Sequence, residues 1–148
     1  MKLYLDNSFL NRPFDDQSIS RNHIETQVLF EVLHMAASGR ADIVNSAVVE
    51  YENSKNSNPK RKNFVATSLK AALFFQAVTP AIRDRAQHIE QVFGITPLDA
   101  LHIASAEAAD ADVFLTCDRA IIKRYIDTRI VIMNPVTFFE TYGDNNKT

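Results

Sequence analysis

Four acids in this sequence stand where short apolar runs end or where helices begin. Asp6 follows Leu3-Tyr4-Leu5, and Glu50 comes four residues after Ser46. Asp99 follows Thr96-Pro97, and Asp118 follows the run Val113 to Thr116. Three or four carboxylates drawn to one place repel and raise one another's pKa, so at neutral pH the group needs a cation. Hard oxygen ligands with open water positions suit Mg2+ or Mn2+. No Cys/His set is present to argue for zinc. A metal held this way activates a water and offsets the charge on a phosphoryl group in transfer. The chemistry implied is hydrolysis of a phosphodiester.

Each acid also has a purely local explanation. Asp6 fits an Asx-turn, and Glu50 complements a helix dipole. Thr96-Pro97-Leu98-Asp99 fits a capping box with Asp in place of Glu. Asp118 fits an N-cap. Only the four taken together point to a site.

For the acids to meet, the chain must place strand ends and helix starts on one rim. Lys2 to Leu5 reads as a buried strand, followed by a turn at Asp6-Asn7-Ser8 and a loop over Asn11 to Asp16. Apolar spacing gives a helix from about Ser20 to Ser38, with Gly39 just past it. Asp42 to Asn45 is a second strand, and Ser46 caps a helix from Ala47. Polar residues from Asn53 to Pro59 break that helix. The next is expected from Lys60 to Phe75, with a brief strand at Ala77-Val78. Thr79-Pro80 and Thr96-Pro97 each open a helix with proline in the first turn. Asp112 to Thr116 and Ile130 to Met133 complete the strands, with a helix from Cys117-Asp118 to Tyr125 between them. A short helix runs from Pro135 to Tyr142. Alternating strands and helices indicate an α/β fold with a mostly parallel sheet, whose functional groups gather at the strands' carboxyl ends. Residues 1–143 are expected to form one domain and 144–148 a loose tail.

Composition narrows the classes. The chain has 148 residues, 46% apolar and 23% charged, enough for one buried core. Its three glycines, Gly39, Gly94 and Gly143, lie far apart, so neither a Walker loop nor a GxGxxG turn is present. The single cysteine, Cys117, excludes an internal disulfide and reads as a small buried residue. A net charge of −2 excludes a uniformly basic coat. No run approaches a membrane span or a signal-peptide core, so no membrane partner and a cytoplasmic location are expected.

From Asn53 to Arg83 there is no acid, while Lys55, Lys60, Arg61, Lys62, Lys70 and Arg83 fall there. Arg119, Lys123 and Arg124 form a second basic group after Asp118. Such groups either hold a phosphate backbone or form a solvated face. Arg119 is the one placed to serve the site. His102, three residues after Asp99, lies on the same helix face and reads as a packing or supporting residue, or as a contact to substrate phosphate. Ser8 and Thr116 carry hydroxyls at strand ends that can orient Asp6 or Asp118, or simply cap turns.

Leu3-Tyr4-Leu5-Asp6 with Asn7-Ser8 resembles the opening strand of PIN-domain nucleases. Ser46-Ala47-Val48-Val49-Glu50 resembles the exit of their second strand. Pro97-Leu98-Asp99-Ala100-Leu101-His102-Ile103-Ala104 is similar to their most recognisable helix, and Leu115-Thr116-Cys117-Asp118 to their Thr-x-Asp motif. The ordered set spans nearly the whole chain. It implies a three-layer α/β/α sandwich with about five strands, and a Mg2+- or Mn2+-dependent ribonuclease. Carried over by position, Asp6, Glu50, Asp99 and Asp118 form its catalytic and metal-binding quartet. Asn7 stands where other members carry Thr or Ser. Ala120 stands where some carry a fifth acid. Many small members are VapC-type toxins neutralised by an antitoxin, which implies RNA as substrate and a small protein partner. A homodimer is expected as well.

The expected function is therefore metal-dependent endoribonuclease, with a non-catalytic PIN-like module that binds RNA or protein as the alternative. An Asp after a first strand also serves haloacid-dehalogenase-type phosphohydrolases. Those place a second acid two residues later, and Ser8 occupies that position here.

Overall fold

In the computed structural model, which describes residues 1–143, strands and helices alternate along the chain. β1 (Lys2–Leu5) leads into a short helix α1 (Asn7–Leu10) and a 3-10 turn (Arg12–Phe14). Then come α2 (Ser20–Ala37), β2 (Asp42–Ser46), α3 (Ala47–Ser54), α4 (Pro59–Leu69) and β3 (Phe74–Gln76). The rest is α5 (Pro80–Phe93), α6 (Pro97–Ala108), β4 (Val113–Leu115), α7 (Arg119–Arg124), β5 (Val131–Met133) and α8 (Pro135–Tyr142). The expected tail at 144–148 lies outside the described residues.

The five strands form one sheet in the order β3-β2-β1-β4-β5, with every neighbouring pair parallel. Helices cover it to give the expected α/β/α sandwich. Parallel strands covered on both faces must be apolar throughout. The inner strands largely comply, with Leu3, Tyr4, Leu5, Ile43, Val44, Val113, Phe114 and Leu115 buried, while Asn45 and Ser46 at the end of β2 are buried polar residues. Tyr4 stacks on Phe114 with ring centroids 5.2 Å apart. The edge strands do not, and Phe75 and Val131 are exposed.

Local sequence chemistry sets most boundaries. Ser46 accepts a hydrogen bond from the Val49 N–H and starts α3, and Thr79 accepts one from Ile82 and starts α5. Gly94 ends α5 in the left-handed region at φ +66°. A Cβ there would meet nothing within 4 Å, so Gly94→Ala carries conformational strain alone. Chemical denaturation is expected to show a loss of about 1–2 kcal/mol. A larger loss would mean that packing at this turn also depends on glycine.

Four expectations need correction. The helix expected over Lys60 to Phe75 stops at Leu69, and the strand expected at Ala77-Val78 is Phe74–Gln76. Pairing with β2, Val44 opposite Phe74 and Ser46 opposite Gln76, fixes that strand. A short apolar run does not itself distinguish a helix end from a strand. The loop after β1 contains helical turns, because Asp6 caps α1 through the Phe9 N–H. The capping box at α6 does not form. The Thr96 hydroxyl donates to the Asp99 carboxylate at 2.9 Å, and Thr96 makes no side-chain bond to the helix backbone.

Among the described residues no helix is long and apolar enough to cross a membrane.

Candidate active site

Because β1 and β4 are parallel neighbours with Leu5 opposite Leu115, their next residues emerge side by side. The Asp6 N–H donates to the Leu115 carbonyl at 3.2 Å. A cleft of about 380 Å3 opens at this rim. Asp6, Asp99, Asp118 and Glu52 line it, from the end of β1, α6, the β4–α7 junction and α3, and a fifth acid, Asp15, lines it paired with Arg12.

Asp6 is the most tightly held of the four. Ser8 Oγ donates to its Oδ1 at 2.6 Å, and Thr116 Oγ1 to its Oδ2 at 2.6 Å. The Phe9 N–H also reaches Oδ1, at 3.1 Å. The two hydroxyls are themselves oriented from behind. Ser8 Oγ accepts from the Cys117 N–H at 3.1 Å, and Thr116 Oγ1 from the Asp118 N–H at 3.0 Å. Burial pushes the Asp6 carboxyl up to about 6, with these donors opposing the shift. Asp99 is also raised, first by burial and further by the negative charges of Asp118 and Glu52. Asp118 caps α7 through the Ala120 N–H at 2.9 Å. The capping role and a place in the cleft thus coexist in one residue.

Glu50 is not brought to the cleft. It is exposed and accepts from Asn45 Nδ2 at 3.0 Å, while Glu52 occupies the position expected of it. Helical geometry supplies the reason. Val48 and Val49 face the core, and Glu52 is four and three residues beyond them. Glu50 is two residues from Glu52, about 200° around the helix. The buried valines were the signal in the sequence that could have chosen between the two acids.

His102 is buried at 1% exposure. Its Nε2 lies 2.7 Å from Glu52 Oε1, and its Nδ1 lies 2.8 Å from the Tyr4 hydroxyl. It thus lies between Tyr4 and Glu52 and borders the cleft. Asn7 lines the cleft with its Nδ2 3.4 Å from the Val49 carbonyl, and its buried Oδ1 has no partner. Cys117 is buried, as expected.

Arg119 does not reach the cleft. It is exposed and lines a separate hollow with Arg21, Glu25 and Asn134. Lys55 and Arg61 of the acid-free stretch do line the cleft, together with Arg12, Asn11, Asn53 and Asn56. Lys60, Lys62, Lys70 and Arg83 are exposed and outside it. Arg12 went unremarked in the sequence. It is held in the wall by buried Glu25 at 2.8 Å and by Asp15 at 3.0 Å. The Asp15 pair is local, three residues on, while Glu25 reaches Arg12 from α2.

Of the five acids lining the cleft, Asp15 is paired with Arg12 at 3.0 Å. The other four, Asp6 and Asp99 raised by their surroundings, are hard oxygen donors that could hold a divalent cation. Among the described residues no three His, Cys, Asp or Glu side chains close on one point as a complete ligand group. Carboxylates that share a cleft without closing on one point suit an ion that keeps several waters.

The family model described as PIN domain matches residues 3–127. No curated protein matches the chain by sequence. Among solved structures, the chain is similar to VapBC2 from Rickettsia felis bound to a DNA fragment from their promoter. The TM-score is 0.57 at 12% identity, covering 90% of this chain and 98% of that one. It is also similar to FitAB bound to an IR36 DNA fragment, with a TM-score of 0.54 at 16% identity, covering 90% and 94%. At these identities the likeness is one of fold.

Proposed function

This chain belongs to the PIN-domain family, a family of nucleases, and we propose that it is a divalent-metal-dependent endoribonuclease acting as the toxin of a toxin–antitoxin pair. The observation that carries the nuclease reading is the meeting of Asp6, Asp99, Asp118 and Glu52 in one cleft. These four residues would hold Mg2+ or Mn2+. The ion would supply an activated water and offset charge on the phosphoryl group. Asp6, fixed by Ser8 and Thr116, is the rigid member of the set. Lys55, Arg61 and Arg12 form the basic wall that receives the RNA backbone.

The antitoxin, the homodimer and the cytoplasmic site of action belong to the same reading, with residues 1–143 as its one domain. The two solved structures named above are DNA-bound complexes, which supports a small DNA-binding partner. Exposed Ile24, Phe30, Phe74 and Phe75 offer apolar surface for a partner or a second copy.

Cleavage of a mixed single-stranded RNA pool in Mn2+, against the same reaction with chelator, tests the activity. Calorimetric Mn2+ titration runs beside it. Metal-dependent cutting and Mn2+ binding are expected. Neither at millimolar Mn2+ would sink the nuclease and favour the non-catalytic PIN-like module. Lys55→Ala is expected to weaken RNA binding and leave the cleavage step intact. Its slope of log affinity against log salt should fall by about 0.7, the value for one phosphate contact on a single strand. An unchanged slope would remove Lys55 from the backbone wall.

A further inference from the structure

Among Asp6, Asp99, Asp118 and Glu52, Glu52 is the least constrained by its own element. It stands on a short helix, 36% exposed, on a side chain with three rotatable bonds. Only a partner can keep it in the cleft, and that partner is His102 Nε2 at 2.7 Å. Whether Nε2 attracts or repels a carboxylate depends on which ring nitrogen carries the proton.

The hydrogen bonds behind the ring decide this. The Val49 N–H donates to Ser46 Oγ at 3.1 Å. Ser46 Oγ lies 2.7 Å from the Tyr4 hydroxyl, and that hydroxyl lies 2.8 Å from His102 Nδ1. Each hydroxyl has one proton. If Ser46 donates to Tyr4 and Tyr4 donates to Nδ1, every donor finds an acceptor. The ring proton then sits on Nε2, facing Glu52. A proton on Nδ1 reverses both bonds and leaves the Ser46 proton without an acceptor in a fully buried position. Leaving it so is unfavourable. Tyr4 is rigid, stacked on Phe114 in the inner strand β1. The setting therefore originates in the sheet itself.

We propose that His102 is a positioning residue: the buried Ser46–Tyr4 chain fixes it as the Nε2–H tautomer, and that N–H aims Glu52 into the carboxylate cleft. The inference rests on the metal-binding reading of the cleft. It assigns to His102, Tyr4 and Ser46 a role that acts through Glu52 without touching RNA.

The test uses two measurements on the full chain. Long-range proton–nitrogen NMR of metal-free protein in mildly alkaline buffer reads the tautomer, with His102→Gln identifying the signal. The Nε2–H form is expected, and Tyr4→Phe, which keeps the stack on Phe114, should mix the two tautomers. A wild-type ring protonated at Nδ1 overturns the inference. Calorimetric Mn2+ titration reads the consequence. His102→Leu is expected to bind Mn2+ about 10- to 100-fold more weakly, while His102→Gln, which keeps a donor for Glu52, stays within about threefold of wild type. If wild type binds and a folded His102→Leu binds equally well, this inference fails alone. If wild type binds no Mn2+, the metal reading fails and takes the inference with it. Should His102→Leu not fold, Tyr4→Phe with unchanged tautomer and unchanged Mn2+ affinity overturns the inference by itself.

Discussion

Asp6→Asn is expected to remove metal-dependent RNA cleavage and, without metal, to flatten the change in stability between mildly acidic and neutral pH. The two effects share one cause. Asp6 is buried among donors that favour its charge, yet burial dominates and holds its carboxyl at about 6. In the unfolded chain the same group titrates near 3.8. A folded-state value above the unfolded one means the folded state binds the proton more tightly. The stabilising contribution is full below pH 3.8 and is lost as pH rises through about 6. Above that pH the ionised carboxylate opposes folding by roughly 1–3 kcal/mol unless a cation sits beside it. Asparagine carries no charge but offers one acceptor where the carboxylate offers two to Ser8, Phe9 and Thr116, so the charge effect is read from pH dependence rather than from absolute stability. In chelator the variant's melting temperature should change less than wild type's between mildly acidic and neutral buffer. The lost metal contact should slow cleavage by on the order of a thousandfold or more, the scale of several kcal/mol of transition-state stabilisation. Thermal melts with chelator and single-turnover cleavage with Mn2+ read both. Cleavage at the wild-type rate would rule Asp6 out of the chemistry, and a variant whose melting temperature changes with pH as much as wild type's would refute the electrostatic account.

The second large effect separates two acids that lie two residues apart. Glu52→Gln is expected to slow cleavage by about 10- to 100-fold and to weaken Mn2+ binding in step. Glu50→Gln should stay within about threefold of wild type, as surface substitutions do. Glu52 borders the cleft and meets His102, whereas Glu50 is exposed on the far side of α3 with Asn45 as its partner. The reverse result, with Glu50 essential and Glu52 dispensable, would mean that α3 presents its other face to the substrate. Measuring both variants on one RNA controls for any general loss of charge on this helix.

Asp6 was recognisable from the sequence and Glu52 was not, for a physical reason. Asp6, Asp99 and Asp118 mark strand ends and helix starts, and these are fixed by chemistry within a few residues. A buried apolar run must stop where a turn begins, and a helix must begin at a capping group or a proline. The same locality made the starts at Ser46 and Thr79 and the stop at Gly94 readable. Once short apolar strands alternate with helices, a parallel sheet follows, and with it the shared rim. The sequence by itself therefore determined the fold class, the rim and three of its four acids.

The tertiary structure decided what depends on partners far along the chain. Which side of α3 faces the cleft is a matter of packing, and that chose Glu52 over Glu50. Phe74–Gln76 became the edge strand because β2 offered a free edge beside it. Arg119 lines a separate hollow, while Arg12 was held in the wall by Glu25 from α2. The tautomer-setting chain joins Tyr4 to His102 across 98 positions. No spacing rule reports such a contact, because its energy exists only once the sheet and helices have brought the two residues together.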